Sequence, residues 1–459
     1  MAIILSLVVS AMKREGERNV LHMTEGNPVR LLLTFGIPLF LGNLLQQFYN
    51  LADTAIAGHI LGDVAISEIG ATSALYGLII NFAFGLNNGF ALSVSRNFGA
   101  GNREELKKAV CWMSLLSLAL AFILSASFLL FRHHLLRALQ VPSDILPGAL
   151  EYLTIILAGI PFTMIYNYES SLMQSVGNSV TPLLLLSFST VLNIFLDIFF
   201  MGQLDMGVQG AAIATVFSQA VAVIIGLLYI VRHYAWLSFG RDEFRAGFTF
   251  VRKMLAQGFS MALMSAIYNL GSVILQGSIN ALGQVYIAAH VGSRRIAEFF
   301  FTPGVALGSA VATFTSQNYG AHRNERIKAG IGSAILIYFI WWIFAMILTF
   351  TVVEDVLAVI TGSDNPDVIG WAARYLKISV PLIPPMSVLV ILRNALQGMT
   401  HPILPLTCSA LELSGKALFA IFIVPVYGYA AVCICEPSTW IICFVVITFG
   451  TLRYRKELC

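Results

Sequence analysis

Asn97-Phe-Gly-Ala-Gly-Asn-Arg-Glu-Glu-Leu-Lys-Lys-Ala109 returns 221 residues later (97 to 318) as Asn318-Tyr-Gly-Ala-His-Arg-Asn-Glu-Arg-Ile-Lys-Ala-Gly330. Each copy is a turn sequence followed by charged residues, and each comes after two long apolar runs. Other residues keep nearly the same offset. Tyr49-Asn50-Leu51 matches Tyr268-Asn269-Leu270, Gly58 matches Gly277 and Pro161 matches Pro381. Gly177 matches Gly398, and Gly207 matches Gly428. The chain is therefore read as two similar halves in tandem.

The runs around the repeat set the class. Of the 459 residues, 58% are hydrophobic and only 11% are charged, with a mean hydropathy of +0.81. A soluble domain carries about 25% charged residues. About 20 apolar residues in a helix cross the ~30 Å hydrocarbon core. Runs of that kind predict spans at 29–58, 64–93, 108–131, 147–170, 179–201 and 208–231. They predict a second set at 255–281, 285–314, 329–353, 369–393, 402–424 and 429–450. The expected fold class is all-α integral membrane, with about twelve transmembrane helices in two six-helix bundles. Six is an even number, so the halves are parallel repeats related by a pseudo-twofold axis along the membrane normal. Transporters place substrate between such halves.

The net charge of +3 gives no reason to expect nucleic acid as a partner. Of the six cysteines, none is in C-x-x-C spacing, and the histidines form no H-E-x-x-H or similar ligand cluster. No nucleophile–base set is evident. We expect no enzyme, no cofactor and no resident metal.

Charge placement predicts orientation. Lys and Arg gather at the N-terminus (Lys13, Arg14, Arg18, Arg30) and after the second span (Arg96, Arg103, Lys107, Lys108). They gather again after the sixth (Arg232, Arg241, Arg245, Arg252, Lys253), after the eighth (Arg323, Arg326, Lys328) and at the C-terminus. The opposite loops are mostly acidic. Positive residues stay inside, so both termini are expected in the cytoplasm of a multi-pass plasma- or inner-membrane protein. The expected organisation is an N-terminal extension over 1–28, an N-lobe over 29–231 and a cytoplasmic linker over 232–254. A C-lobe over 255–450 and a tail over 451–459 follow. Met23-Thr-Glu-Gly-Asn-Pro28 reads as a natural start, so residues 1–22 are expected to be a dispensable or misassigned extension.

Ionisable residues within apolar helices are expensive and mark function. Asp53 lies in the first span and Asp197 in the fifth, between Phe195-Leu196 and Ile198-Phe199-Phe200. At 1.5 Å per residue, both are ~9 Å below the outer helix ends, and Thr215 in the sixth span is ~10 Å down. Tyr49 is one turn from Asp53, and Asn193 is one turn from Asp197; i, i+4 spacing puts each pair on one face. These five residues are expected to line one polar cavity. Two carboxylates sharing a poorly hydrated site do not both ionise easily. Such a pair takes up a proton or holds a monovalent cation. In the second half, Ser272 answers Asp53, while Glu412 and Lys416 answer Asn193 and Asp197. Glu412 and Lys416 neutralise each other at i, i+4. Arg294, Arg295 and Glu298 form another charged cluster. We expect these clusters to be mainly structural, with cavity lining as the competing role. Pro38, inside the first span, permits a kink, and Pro161, Pro303 and the run Pro381, Pro384, Pro385 are expected to break helices.

Several segments together resemble the multidrug and toxin extrusion (MATE) transporters, from about Met23 to the C-terminus. They are Thr24-Glu-Gly26, Pro38, Gln46-Gln-Phe-Tyr-Asn-Leu-Ala-Asp-Thr54 through Gly58, Asn97–Gly101, Gln317–Ala321, Asn193-Ile-Phe-Leu-Asp197 and Gly207–Thr215. The resemblance implies two six-helix bundles facing a central cavity. It implies export of small organic, often cationic and amphipathic, compounds in exchange for H⁺ or Na⁺. It is closest to the DinF-like branch, whose cation-site residues fall on Tyr49, Asp53, Asn193, Asp197, Thr215 and Tyr152, and whose bending proline falls on Pro38. Gln46, Arg295, Glu298, Glu412 and Lys416 are the expected cavity-lining residues. The expected partners are a small-molecule substrate and the lipid bilayer, with the chain a monomer. Ile198 stands where the family often has proline after the aspartate, and Tyr268-Asn269 stands where other members carry a second cation-site glutamate. The alternative is a lipid-linked-precursor flippase of the same superfamily, which would need a strongly cationic cavity.

Overall fold

The computed structural model describes residues 20–139, 141–245, 247–363 and 365–454. Most of the expected extension and the last residues of the expected tail lie outside the described residues. Twelve helices are long and apolar enough to cross a membrane. They are α1 (Pro28–Leu61), α2 (Asp63–Gly99), α3 (Arg103–Ala138), α4 (Leu146–Ser175), α5 (Val180–Gln203) and α6 (Gly207–His233). The second six are α7 (Phe248–Asn280), α8 (Gln284–Gly320), α9 (Asn324–Thr351), α10 (Pro366–Gly398), α11 (Ile403–Tyr427) and α12 (Tyr429–Leu452). A nine-residue helix, Val353–Thr361, precedes α10. The chain is a multi-pass membrane protein. Large apolar side chains remain on the outer faces of its helices, with Phe122 60% and Leu130 73% exposed, and hydrocarbon covers such surface where water would not.

The helices overrun the expected spans. Apolar content ends near residues 93 and 314, yet α2 and α8 continue to Gly99 and Gly320. Polar side chains extend them: Asn97 Nδ2 donates to the Ser93 carbonyl (3.0 Å) and Asn318 Nδ2 to that of Phe314 (2.8 Å). Asn102 then caps α3 by accepting from the Glu105 N–H at 3.2 Å, as an N-terminal Asn does.

Prolines break less than expected. α1 runs through Pro38, α4 through Pro161 and α8 through Pro303. Only the Pro381 run interrupts its helix, with one 3₁₀ turn at Val380–Leu382. Membrane helices tolerate an interior proline because local adjustment and neighbouring groups satisfy the freed carbonyl.

The chain divides into two compact units. Of the described residues, the first comprises Ile37–Ala262 with residues 20–22, and the second comprises Met23–Gly36 with residues 263–454. Residues 20–22 of the expected extension are packed. Leu21 N–H donates to the Gly177 carbonyl at 3.4 Å, and His22 stacks on Phe98 at 5.1 Å. In the second unit, Met23 is fully buried and its N–H donates to Gln317 Oε1 at 3.0 Å.

The repeat is written into the backbone. After α2, the N–H groups of Ala100, Gly101 and Asn102 bond the carbonyls of Arg96, Phe98 and Asn97. After α8, those of Ala321, His322 and Arg323 bond Gln317, Tyr319 and Asn318 in the same pattern. Gly101 and His322 both take positive φ, of 68° and 56°. One correspondence shifts. Gly177 N–H bonds Gln174, as Thr400 N–H bonds Gln397, and both residues have positive φ. Thr400, not Gly398, therefore answers Gly177.

Candidate functional site

Within the first unit, α1, α5 and α6 bring five of the expected residues together. Asp53 and Asp197 are buried, at 9% and 0% exposure, and their carboxyls lie within hydrogen-bonding reach of each other. Oriented with its nitrogen toward a carboxylate, the Asn193 amide donates to Asp197 Oδ2 at 3.0 Å and accepts from Thr215 N–H at 3.3 Å. The Thr215 hydroxyl meets the Tyr49 hydroxyl at 3.3 Å. Tyr152, from α4, is buried among Ala57, Ile156, Met201 and Val208 and lies near both aspartates. Gln46 stands apart. It is exposed, and its amide donates along α1 to Asn50 Oδ1 at 3.4 Å.

Each aspartate keeps one buried oxygen, Oδ1, without a hydrogen-bond partner among the described residues. Two facing carboxyls can share one proton, or their free lone pairs can take a cation. Among the described residues, no group of three or more His, Cys, Asp or Glu could hold a metal ion. Just beyond Asp197 the helix widens to a π-helical turn, Ile198–Gln203. Where proline was the family pattern, Ile198 supplies an N–H that bonds the Ile194 carbonyl.

Sequence reasoning missed three kinds of residue here. Tyr76 lies near Asp53 and beside Gln219 and Thr163, and Thr163 Oγ1 donates to Gln219 Oε1 at 2.6 Å. Glu169 on α4 is fully buried, and neither of its oxygens has a partner among the described residues. Glu436 on α12 is the third. Glu169 and Glu436 were detectable by the rule that singled out Asp53, a carboxylate inside an apolar helix.

Glu436 is central to the second unit. Arg294 contacts both of its oxygens, at 3.2 and 3.0 Å, and the Tyr375 hydroxyl donates to it at 2.8 Å. Lys416 lies 3.3 Å from Glu436 and 3.6 Å from Glu412, in ion-pair range rather than in tight hydrogen bonds. Arg393 pairs with Glu412 at 3.1 Å, and Arg294 reaches Glu298 at 3.5 Å. The expected Glu412–Lys416 neutralisation is one link of a six-membered alternating chain. The Lys416 ammonium also sits 4.5 Å from the centre of the Tyr268 ring, a cation–π contact.

The helix starts correct the assignment across the repeat. Asn193 is the thirteenth residue after Val180, which begins α5, and Lys416 is the thirteenth after Ile403, which begins α11. Lys416 therefore answers Asn193, and the position answering Asp197 is Ala420.

Twelve membrane helices in two repeats, with buried charge in each, define a membrane transporter. A model of the MatE family matches residues 38–199 and again residues 260–422. The chain belongs to that family, the multidrug efflux transporters, which are not enzymes. It is 28% identical over 305 residues to the probable multidrug resistance protein YpnP of Bacillus subtilis, covering 66% of this chain and 68% of that one. It is 25% identical over 391 residues to the FAD transporter of Shewanella oneidensis, covering 84% and 85%. The fold matches a crystal structure of a MATE transporter in complex with MaL6, at a TM-score of 0.87 and 20% identity over 96% of this chain and 99% of the other.

Proposed function

We propose that this transporter is a secondary antiporter of the cell membrane, acting as a monomer with both termini in the cytoplasm. It exports small amphipathic organic compounds, cations among them, in exchange for H⁺ or Na⁺. The observation that carries this reading is the Asp53–Asp197 pair, buried face to face with one unpartnered oxygen on each. The site belongs to the DinF-like arrangement, in which the first unit holds the coupling ion. Entry of the ion neutralises the pair, and Tyr49, Asn193, Thr215 and Tyr152 shape the site around it. An ion gradient drives export only if ion and substrate favour different states or compete. Support for Pro38 as the bending point comes from the division of the chain. α1 changes unit between Gly36 and Ile37, next to that proline. The flippase alternative would need a strongly cationic cavity, and of its four candidate cations Arg294, Arg393 and Lys416 are paired with acids, which leaves Arg295 alone.

The test is efflux of a fluorescent organic cation from proteoliposomes, with pH and Na⁺ gradients imposed separately. Wild type should follow one gradient, and Asp53→Asn should fold but not respond. Full gradient-driven efflux by Asp53→Asn would remove the site assignment.

A further inference from the structure

The second unit contains a cavity of about 430 Å³, within the usual range for small-molecule sites. Its wall combines apolar Leu275 and Val291, neutral polar Ser272 and Gln276, and the charged Arg295 and Glu298. Arg294 and Glu436 close it on the side of the charge network. We propose that this cavity receives the acidic group of the transported compound, with Arg295 as its counter-charge. Amphipathic organic acids and zwitterions are then among the substrates.

The argument is a charge balance. Arg393, Glu412, Lys416, Glu436, Arg294 and Glu298 alternate in sign along one connected chain. Three cations meet three carboxylates, and the chain is neutral as it stands. Arg295 is the cation left over. It lines the cavity and has neither an ion pair nor a hydrogen bond among the described residues. It lies eleven residues into α8, counting from Gln284, which places it ~16 Å along the helix. Its side chain is exposed, and a guanidinium within a membrane helix faces a water-filled cavity or a counter-charge and marks a substrate or ion path. Its planar fork matches a carboxylate or phosphate through two parallel hydrogen bonds. Glu436 cannot supply that charge, being held by Arg294, Lys416 and Tyr375. Glu298 is engaged with Arg294, and its flank is where a zwitterion's ammonium would lie. The volume and the apolar wall call for an organic body rather than an inorganic ion.

The inference rests on the transporter reading, but its test does not depend on ion coupling. The purified full chain in lipid nanodiscs is titrated with dansylglycine and with dansylamide, fluorophores of the same ring that differ in the carboxylate. The wild type should bind dansylglycine about tenfold more tightly, as one well-placed charged hydrogen-bonded pair allows. Arg295→Gln should bring the ratio to about one. Arg295→Lys should keep part of the preference, and Glu298→Gln should increase it. Asp53→Asn should retain the ratio while losing ion-driven efflux, so failure of the coupling site and failure of this subsite give different results. Equal affinities in the wild type would overturn the proposal, as would an unchanged ratio in folded Arg295→Gln. Should Arg295→Gln not fold, an unchanged ratio in both Arg295→Lys and Glu298→Gln would overturn it.

Discussion

Thr215 is held twice. Its hydroxyl meets Tyr49, and its backbone N–H is taken by Asn193. The two contacts separate by mutation. Thr215→Val removes the first and leaves the second, stranding the Tyr49 hydroxyl at a cost of about 1–2 kcal/mol. Both aspartates remain, so gradient-driven efflux by Thr215→Val should slow but persist, with a lowered melting temperature. Efflux as dead as that expected of Asp53→Asn would make the Thr215 hydroxyl a direct ion ligand instead of a tether. The acids of this site were legible because a carboxylate inside an apolar helix is expensive and because Asp53 and Asp197 share one depth with polar partners at i, i+4. Tyr76 and Gln219 were not legible, since a lone polar residue on an apolar helix is ordinary until its neighbours are known. Glu436 escaped for a different reason. It lies within reach of the same rule, but the partners that define its role, Arg294 and Lys416, come from other helices.

At the scale of the element, α2 and the start of α7, Phe248–Ala262, touch through their backbones within the first unit. A Cβ at Gly89 on α2 would lie 2.5 Å from the Cα of Gly258 on α7, and one at Gly85 would lie 2.7 Å from the Cα of Ala262. Gly85-x-x-x-Gly89 against Gly258-x-x-x-Ala262 is the small-residue crossing by which membrane helices approach without side chains between them. Gly89→Leu should therefore force the crossing apart and cost about 3 kcal/mol or more, read as a lowered melting temperature in detergent. Leucine at Gly77, where a Cβ meets nothing within 4 Å, should leave the melting temperature nearly unchanged. Equal losses at the two positions would mean the α2–α7 approach does not determine stability. Helix number was legible because apolar run length is a direct consequence of bilayer thickness. Helix ends were not, because Asn97 and Asn318 continue the helices past the apolar windows. The π-turn after Asp197 left no trace in the residue pattern, for Ile198–Gln203 is as apolar as any other turn.

For the whole molecule, the tandem repeat makes two versions of one architecture, and they treat positive charge in opposite ways. In the first unit, Asn193 and Tyr49 stand beside two acids with unpartnered oxygens. In the second, the corresponding places hold Lys416 and Tyr268, and the ammonium lies over the ring between Glu412 and Glu436. The repeat was legible through its turns, where Asn97, Gly99 and Ala100 recur as Asn318, Gly320 and Ala321, although the positive-φ positions hold different residues, Gly101 and His322. The exchange of roles was not, because sequence alignment alone set Lys416 against Asp197 and hid its match to Asn193. The physical consequence is that the second unit carries its cation covalently. On the proposed antiport reading, a bound ion can leave but a lysine cannot, so the first unit is the one expected to follow an ion gradient. Lys416→Met should then behave as the loss of a structural charge. It leaves Glu412 and Glu436 short of a counter-ion in a buried site, at a cost of about 3–5 kcal/mol. Adding Glu436→Gln to it should recover part of the melting temperature, because neutralising an acid removes part of the deficit, although Arg294 then loses a partner. The transport readout is the decisive one. In proteoliposomes, folded Lys416→Met should still follow whichever gradient drives the wild type. A switch of coupling ion, or a change in the number of ions moved per substrate, would mean that the second unit also takes part in the ion cycle.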